Sequence, residues 1–362
     1  MPKNYFACAN TSSGFVNLFP NILKDMEKVF IIKGGPGTGK STLMKKVGKH
    51  FEELNQNVEY IHCSSDCSSL DGVIIDNKIA IADGTAPHII EPTAVGARED
   101  YLSFSPVWNS ERLKKETALI LDINAKISLC YKNLYFSLKR AGECYAQIEK
   151  IYAKAVDYKD LDYFIDRNIE AILRGVKGEK ENMKQSFRFL GALTDDGWLN
   201  YIENLTEETP NRYFLKGKPG SGKSQFLKRL SKEAKERGVD TEIYRCSLDP
   251  DKYDMVVIPS YGISVFDATS PHQLFPSREN DVILDFYEKD LEDNLQEEDR
   301  RIISTLYMEF EDYMAEAREY LRTAHTLHDN LEKIYIKAVD FELLDAITKD
   351  LIEEIEGYII NN

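Results

Sequence analysis

The chain has 362 residues, of which 43% are hydrophobic and 30% are charged, and its formal net charge at pH 7 is −15. This length fits two domains of ordinary size, each with its own core. The negative charge argues against a broad nucleic-acid surface, because neutralising phosphates needs clustered lysine and arginine. No apolar run reaches the ~20 residues that span a bilayer, and the N-terminus lacks the pattern of a secretory signal. We therefore expect a cytoplasmic protein with no membrane partner.

The first motif along the chain is a glycine-rich loop between an apolar strand at 29–32 and a helix-forming stretch at 42–46. It matches G-x-x-x-x-G-K-[ST], whose backbone N–H groups and following helix N-terminus bind phosphate oxygens. We expect Lys40 to reach the β- and γ-phosphates of ATP and Ser41 to bind Mg²⁺. The predicted nucleotide-binding residues are Gly34, Gly35, Pro36, Gly37, Thr38, Gly39, Lys40, Ser41 and Thr42.

A carboxylate at the end of a second strand is the other element that a magnesium nucleotide site requires. Strand 79–82 ends at Asp83, which we expect to hold Mg²⁺ or its water. A simple turn residue is the alternative, since Asp-Gly often ends a strand. Strand 73–75 lies only three residues earlier, whereas a parallel crossover needs a dozen or more. This pair is therefore predicted to be an antiparallel hairpin in a mixed sheet.

Three further side chains of this half are candidates for the chemistry. Asp66 follows strand 58–62 and could act as a base or a second magnesium contact, or cap a turn. His88, after a proline, could sense or polarise the γ-phosphate, or only hydrogen-bond its own loop. Arg98 could stabilise transition-state charge, with a surface ion pair to the adjacent glutamate as the alternative.

A long helical segment follows. Apolar and small residues recur in steps of three and four over 111–156, which predicts one long helix or a helix pair. Asp157 is the expected N-cap of a shorter helix that runs to 174 and stops at Gly175. Such an arm could grip a protein partner or report the nucleotide state, or it could pack on its own sheet or on a sister arm.

The whole series recurs 183 residues later, since 223 − 40 = 183. The second loop is preceded by the apolar strand 213–215 and comprises, with one following residue, Gly217, Lys218, Pro219, Gly220, Ser221, Gly222, Lys223, Ser224 and Gln225. Small register shifts in the middle still align the other candidates, which are Asp249, Asp267, His272 and Arg278. Ser224 and Asp267 are the predicted magnesium ligands of this half. Cys63 and Cys67 have a loose metal-like spacing, but Cys67 aligns with Pro250, so the scattered cysteines are interpreted as reduced thiols.

The sequence therefore predicts an α/β protein with two tandem P-loop NTPase domains, 1–184 and 185–362. Each domain is expected to be a mostly parallel, mixed sheet flanked by helices. Each carries a long helical-hairpin arm, at about 110–175 and about 290–357. The chain resembles a little-characterised bacterial family of tandem-duplicated P-loop ATP-binding proteins. The resemblance rests on the two loops, the Asp-x-Thr-x-Pro-His segments at 83–88 and 267–272, and the paired Glu-Lys-Ile-Tyr runs.

The resemblance implies ATP binding and ATPase activity but supplies no substrate. One hypothesis is an Mg-ATP-dependent ATPase that acts as a conformational switch, with the two halves facing each other as a pseudo-dimer. A second is a kinase that moves the γ-phosphate to a small metabolite or nucleotide, with Asp66 or Asp249 as the base. A third is an ATP-dependent interaction module with little turnover. ATP is expected rather than GTP because the chain lacks an Asn/Thr-Lys-x-Asp segment, and a homodimer is compatible with the sequence.

Overall fold

The computed structural model describes residues 1–178, 183–286, 291 and 294–361. The polar run in which the domain boundary was predicted, and the predicted start of the second arm near 290, fall partly outside these ranges. Within them, twelve strands form one sheet and four more form two small hairpins. Nothing among the described helices is both long enough and apolar enough to cross a membrane.

The first half supplies six neighbouring strands of the sheet, in the order β1-β5-β6-β7-β4-β8. Only β6 runs antiparallel to its neighbours, so the predicted hairpin between β6 and β7 is confirmed. The strands of this half are β1 Lys3–Phe6, β2 Cys8–Thr11, β3 Gly14–Asn17, β4 Lys28–Lys33, β5 Val58–His62, β6 Leu70–Ile75, β7 Ile79–Asp83 and β8 Glu99–Ser103.

The second half repeats this order outward from the centre of the sheet, as β9-β13-β14-β15-β12-β16. The halves join where β1 meets β9 antiparallel, with Phe6 opposite Phe189. The predicted α/β class with a mixed sheet is thus confirmed. The strands of this half are β9 Gln185–Phe189, β10 Gly191–Thr194, β11 Gly197–Asn200, β12 Asn211–Lys216, β13 Thr241–Arg245, β14 Tyr253–Ile258, β15 Ile263–Asp267 and β16 Val282–Asp285.

The helix Tyr158–Ile172, α5, begins where its local signals predict and ends two residues before the predicted end at 174. Asp157 caps α5 by accepting hydrogen bonds from the N–H groups of Lys159 and Asp160, and Gly175 follows the helix with φ of 78°. The described helices are α1 Phe19–Ile22, α2 Lys40–Glu53, α3 Ser110–Lys115, α4 Thr117–Ala153, α5 Tyr158–Ile172, α6 Ile202–Leu205, α7 Lys223–Glu236, α8 Glu297–Ile336 and α9 Phe341–Asn361. Short 3₁₀ turns lie at Leu23–Asp25, Ser105–Val107 and Pro259–Tyr261.

We call α4 with α5 the first arm and α8 with α9 the second arm. The long helices α4 and α8 pack along each other, so the apolar stripe of each is buried against its sister. The short helices then cross to the opposite half. Helix α5 buries Leu161 and Ile165 against α7, and α9 buries Leu344 and Leu351 beside α2.

A buried ion cluster lies at the junction of the two halves. The Arg188 guanidinium pairs with Glu59 at 3.1 Å and with Glu242 at 2.9 Å. Lys3 Nζ lies 2.7 Å from Glu242, and the Tyr5 hydroxyl donates to Glu59 at 2.8 Å. Residues of both halves therefore neutralise one another in the interior, where an unpaired charge would be costly.

Candidate functional site

The first glycine-rich loop, called the first phosphate loop after its predicted role, connects β4 to α2. Its own lysine donates hydrogen bonds to carbonyls of the loop. Gly39, with φ of 90°, directly precedes the helix, in a conformation that favours glycine. Lys40 Nζ donates to the carbonyls of Gly34 and Gly35 at 3.2 and 2.7 Å and lies 3.5 Å from Asp83 Oδ2. The predicted lysine and carboxylate are therefore brought together at the carboxyl ends of neighbouring strands.

The second loop, between β12 and α7, has the same geometry. Lys223 Nζ donates to the carbonyls of Gly217 and Lys218 at 2.6 and 3.1 Å and lies 3.6 Å from Asp267 Oδ2. Gly222 precedes the helix with φ of 102°.

The serine that ends each loop faces the strand next to the carboxylate strand. Ser41 Oγ accepts from the N–H of Leu70, and Ser224 Oγ from that of Tyr253, both at 3.0 Å. Each half thus offers a hydroxyl oxygen and a carboxylate oxygen near a loop that can cradle phosphates. Hard oxygen donors of this kind suit Mg²⁺, which also keeps phosphate oxygens and waters as ligands. The donor set fits the expected metal.

The Asp-x-Thr-x-Pro-His segments are fixed to the loops by hydrogen bonds. Asp83 Oδ1 accepts from the Thr85 N–H at 2.8 Å, and the Thr85 hydroxyl donates to the Gly34 carbonyl at 3.0 Å. Lys33 Nζ donates to the Gly84 carbonyl at 2.8 Å. In the second half Asp267 Oδ1 accepts from the Thr269 N–H at 2.9 Å, and Lys216 Nζ donates to the carbonyls of Ala268 and Leu274. The Thr269 hydroxyl differs from that of Thr85, since it donates to Asp267 and not to the loop. Both prolines of these segments follow cis peptide bonds.

Each histidine of these segments pairs with a buried aspartate that sequence reasoning did not identify as a site residue. His88 Nε2 lies 3.4 Å from Asp71 Oδ2, and His272 Nε2 lies 3.3 Å from Asp254 Oδ2. Burial lowers the pKa of His272, but its hydrogen bond to Asp254 and the charge of that carboxylate raise it more. Aligning the two halves places Asp71 opposite Asp254, so a signal for both was present, although no motif includes them.

The two histidines differ at their other ring nitrogen. His88 Nδ1 lies 3.3 Å from Cys8 Sγ. His272 Nδ1 is buried and has no hydrogen-bond partner among the described residues. In the second half Gly191 occupies the position that aligns with Cys8. Burial, and then the charge of Asp71, raises the pKa of Cys8 well above its ordinary value. All six cysteines, including Cys63 and Cys67, are free thiols.

The candidate aspartates Asp66 and Asp249 lie in turns. Asp66 accepts from the Ser68 N–H at 2.9 Å, and Asp249 accepts from the Asp251 N–H at 3.2 Å, as turn-capping aspartates do. Burial raises the pKa of Asp66, but hydrogen bonds from Ser69 and Ser68 bring it below its usual value. These contacts agree with the turn-capping interpretation.

The arginines lie at the wrong end of the sheet for the predicted role. The Arg98 carbonyl accepts from the N–H of Val29, at the start of β4, whereas the loop begins beyond the far end of that strand. Four residues of strand, about 13 Å, lie between them. Arg98 pairs with Glu99, and Arg278 Nη1 donates to the carbonyls of Thr206 and Glu207, before β12 begins. Neither contact involves a phosphate loop, so the ion-pair alternative for Arg98 is the better description.

Each loop is covered by the arm of the other half. A Cβ placed on Gly35 would lie 2.7 Å from Tyr335 Cε1, and one on Gly37 would lie 2.9 Å from Glu332 Cα. In the second loop, a Cβ on Gly220 would collide with the Glu149 carbonyl. The Glu-Lys-Ile-Tyr runs shared by both halves are therefore loop-covering segments, and glycine is required where they approach.

The second loop also borders a cavity of 740 Å³. Its walls come from the loop, the Asp-x-Thr-x-Pro-His segment, the end of β13, the β10–β11 hairpin and both long arm helices. The lining residues are Tyr145, Trp198, Lys216, Gly217, Lys218, Pro219, Cys246, Ser247, Leu248, Asp254, Asp267, Ala268, Thr269, Ser270, Pro271, His272, Gln273, Phe275, Tyr307, Phe310, Glu311 and Met314. This size is within the range of small-molecule pockets.

The comparisons with known proteins give one partial similarity. A family model described as Nephrocystin 3, N-terminal, matches residues 17–73, a segment that contains the first phosphate loop and α2. The match covers well under half of the chain, so it is a likeness of one segment. Neither the curated proteins nor the solved structures with which the chain was compared include one that matches it.

Proposed function

We propose that the protein is an Mg-ATP-dependent ATPase that acts as a conformational switch, built from two tandem P-loop NTPase domains, 1–184 and 185–362. This assignment agrees with the resemblance to the tandem-duplicated bacterial family. It is supported in each half by a loop lysine within 3.6 Å of a strand-end carboxylate and by a loop serine beside it. Such a lysine positions the β- and γ-phosphates, and the oxygens hold Mg²⁺.

The observation that carries the switch is the crossing of the arms. Tyr335 and Glu332 of the second arm touch the first loop, and Glu149 of the first arm touches the second loop. A nucleotide that changes the position of one loop therefore acts on the arm of the other half. Since α4 and α8 pack together along their length, the effect reaches both arms. The crossing gives two nucleotide sites a physical route for coupling.

The experiment that tests this function uses the two loop lysines. We expect Lys40→Ala and Lys223→Ala each to weaken ATP binding at one of two sites, and the double variant to weaken it at both, in equilibrium dialysis with Mg²⁺. Loss of hydrogen bonds between a lysine and a charged phosphate, at ~1.5–3 kcal/mol, weakens the affected site by about one to two powers of ten. ATP hydrolysis by the purified protein, followed as phosphate release, should fall in the same variants.

The matched controls are Lys49→Ala and Lys232→Ala, equivalent lysines on α2 and α7 whose side chains are 77% and 76% exposed. They should leave binding and hydrolysis unchanged. If the double loop variant binds ATP as tightly as the parent protein, the assignment is wrong. Tight ATP binding with no turnover would instead favour the interaction module.

A second candidate function, a small-molecule kinase, is favoured by the cavity beside the second loop. In that reaction the acceptor hydroxyl oxygen bonds to the γ-phosphorus, the bond to the bridging oxygen breaks, ADP leaves, and the hydroxyl proton passes to a base. Asp66 and Asp249 are poor candidates for that base because they cap turns. ADP formation that depends on an added acceptor, with no release of free phosphate, would establish the kinase over the ATPase.

A further inference from the structure

We propose that the cavity beside the second phosphate loop binds a nucleoside-like small molecule, one with a planar ring, hydroxyl groups and no phosphate. The inference rests on the proposed function, in that the adjoining loop holds ATP. The cavity borders only the first part of this loop, at 217–219, together with Asp267. Lys223 and Ser224 do not line it. The cavity therefore lies beside the place where the phosphates sit, on the side of the carboxylate strand.

The walls provide surfaces for a planar ring. Tyr145, Trp198, Tyr307 and Phe310 line the cavity from three separate elements, and Phe275 stands at its edge, 68% exposed. Aromatic side chains pack against planar rings in offset-stacked or edge-to-face geometry, and each pair adds to the burial of apolar surface. Trp198 is one of only two tryptophans in the sequence.

The polar groups of the cavity suit an uncharged or cationic ligand with hydrogen-bond donors. Glu311 on α8, and Asp254 on β14 with its partner His272, offer acceptors and donors from different elements. The His272 side chain is 8% exposed, and its Nδ1 has no hydrogen-bond partner within the described part of the chain, whereas its Nε2 lies 3.3 Å from Asp254 Oδ2. A buried polar atom left in this way favours a ligand that satisfies it.

An anionic group in the ligand is disfavoured. Lys216 Nζ is already bound to the carbonyls of Ala268 and Leu274, and burial lowers the pKa of Lys216. The carboxylates of Asp254, Asp267 and Glu311 face the same space. Lys218 also lines the cavity, so the lining has two lysines against three carboxylates, and a phosphate placed here would meet more negative than positive charge. This balance distinguishes the ligand from a second nucleotide.

The aromatic lining is specific to the second half. At the positions aligned by the 183-residue repeat, Tyr307 and Phe310 correspond to Asn124 and Ile127, and Trp198 corresponds to Phe15. Phe15 contacts the ring of His88 edge-on, with a centroid distance of 5.4 Å. The equivalent positions of the first half thus carry fewer aromatic groups.

Trp198 itself supplies the test. Trp108→Phe leaves Trp198 as the only tryptophan, so its fluorescence reports on the cavity. We expect adenosine, cytidine or thymidine to change this fluorescence saturably, both without a nucleotide and with a saturating non-hydrolysable ATP analogue. Tyr307→Asn and Phe310→Ile, which install the first-half residues, should together weaken nucleoside binding by about tenfold or more. Tyr163→Asn, at an exposed tyrosine of α5, should have no effect.

Two results would overturn the inference. One is the absence of any saturable change up to millimolar nucleoside in protein that binds the ATP analogue normally. The other is competition between nucleoside and analogue, which would make the cavity part of the nucleotide's own site. Nucleoside binding that persists when the analogue binds neither loop would count against the proposed ATPase and leave the cavity assignment intact, so the two failures are distinguishable.

Discussion

The two phosphate-loop sites share a lysine, a carboxylate, a His–Asp pair and a covering arm from the other half, yet they differ around the histidine. In the first site Cys8 faces His88 and Phe15 packs against its ring. In the second site glycine stands in place of the cysteine, and the histidine borders a large cavity. The elements that would act on phosphates have stayed alike, while the surroundings have diverged. If both loops bind nucleotide as proposed, this pattern indicates that the surroundings of the two sites serve different purposes.

The covering contacts also differ between the sites. Glu149, on the second loop, pairs with Lys252, which in turn lies 3.2 Å from Asp249. The first site has Ser69 at the position of Lys252, and no lysine of the described residues pairs with Glu332, which lies 3.7 Å from His328 on its own helix. At the loop-covering end of the first arm an ion pair thus joins the two halves, whereas at that of the second arm Tyr335 packs on Gly35 and the ion pairs to the first half lie further along, between α9 and α2.

The largest predicted effect tests whether the two halves form one folding unit. Arg188→Met removes the cation between Glu59 and Glu242 and leaves buried carboxylates without it. We expect a loss of about 3–5 kcal/mol in the free energy of unfolding, as for other buried pairs that lose one partner. Urea unfolding followed by circular dichroism measures it.

The control for that measurement is Arg301→Ala, which removes an exposed arginine paired with Glu297 on α8. It should change the free energy by less than about 0.5 kcal/mol. A variant Arg188→Met as stable as the parent, or one in which only the first or only the second half unfolds, would show that the junction does not couple the halves.

The same cluster predicts an acid-sensitive junction. Burial raises the pKa of Glu242, but the charges and hydrogen bonds of Arg188 and Lys3 lower it by more, so that the pKa is about 2. A carboxylate with a lowered folded-state pKa stabilises the fold above its unfolded pKa of about 4.3, and that contribution is lost as the pH falls towards 2. We expect the free energy of unfolding to fall between pH 5 and pH 2. In Glu242→Gln this fall should be smaller, and an identical slope would contradict the assignment.

Local signals predicted the parts of the fold that local physics decides. The loops, the antiparallel β6–β7 pair and the Asp157 cap follow from glycine freedom, connection length and capping chemistry. The crossing of the arms could not be predicted, because a periodic apolar stripe shows which face of a helix is buried but not which surface covers it.

The site was predictable to the same extent. Asp83 was found because a strand end has a pattern, whereas Asp71 lies inside a strand and becomes a partner of His88 only through strand pairing. For Arg98 both alternatives stayed open, because its position along the chain does not reveal that it precedes a parallel strand and so lies at the amino edge of the sheet.

A smaller effect should show that an arm acts on the loop of the other half. Tyr335→Ala removes the ring that packs on Gly35. In the Lys223→Ala background, where the first loop is the tighter site for ATP, we expect severalfold weaker binding, since an aromatic contact of this kind is worth about 1 kcal/mol. In the Lys40→Ala background the same change should leave binding at the second loop almost unaffected. The opposite pattern would mean that each arm serves its own half.

The smallest predicted effect concerns the unequal anchoring of the arms. Lys252→Ser installs the first-half residue and removes the ion pair with Glu149, whose two side chains are 30% and 20% exposed. Partly exposed pairs contribute about 0.2–1 kcal/mol, so overall stability should change little. Hydrogen exchange should nevertheless become faster at the end of α4, in 149–153, and approach that of the equivalent segment 332–336, because among the described residues neither loop-covering glutamate would then pair with a lysine of the other half. Unchanged exchange at 149–153 would mean that Lys252 is not what holds the first arm on the second loop.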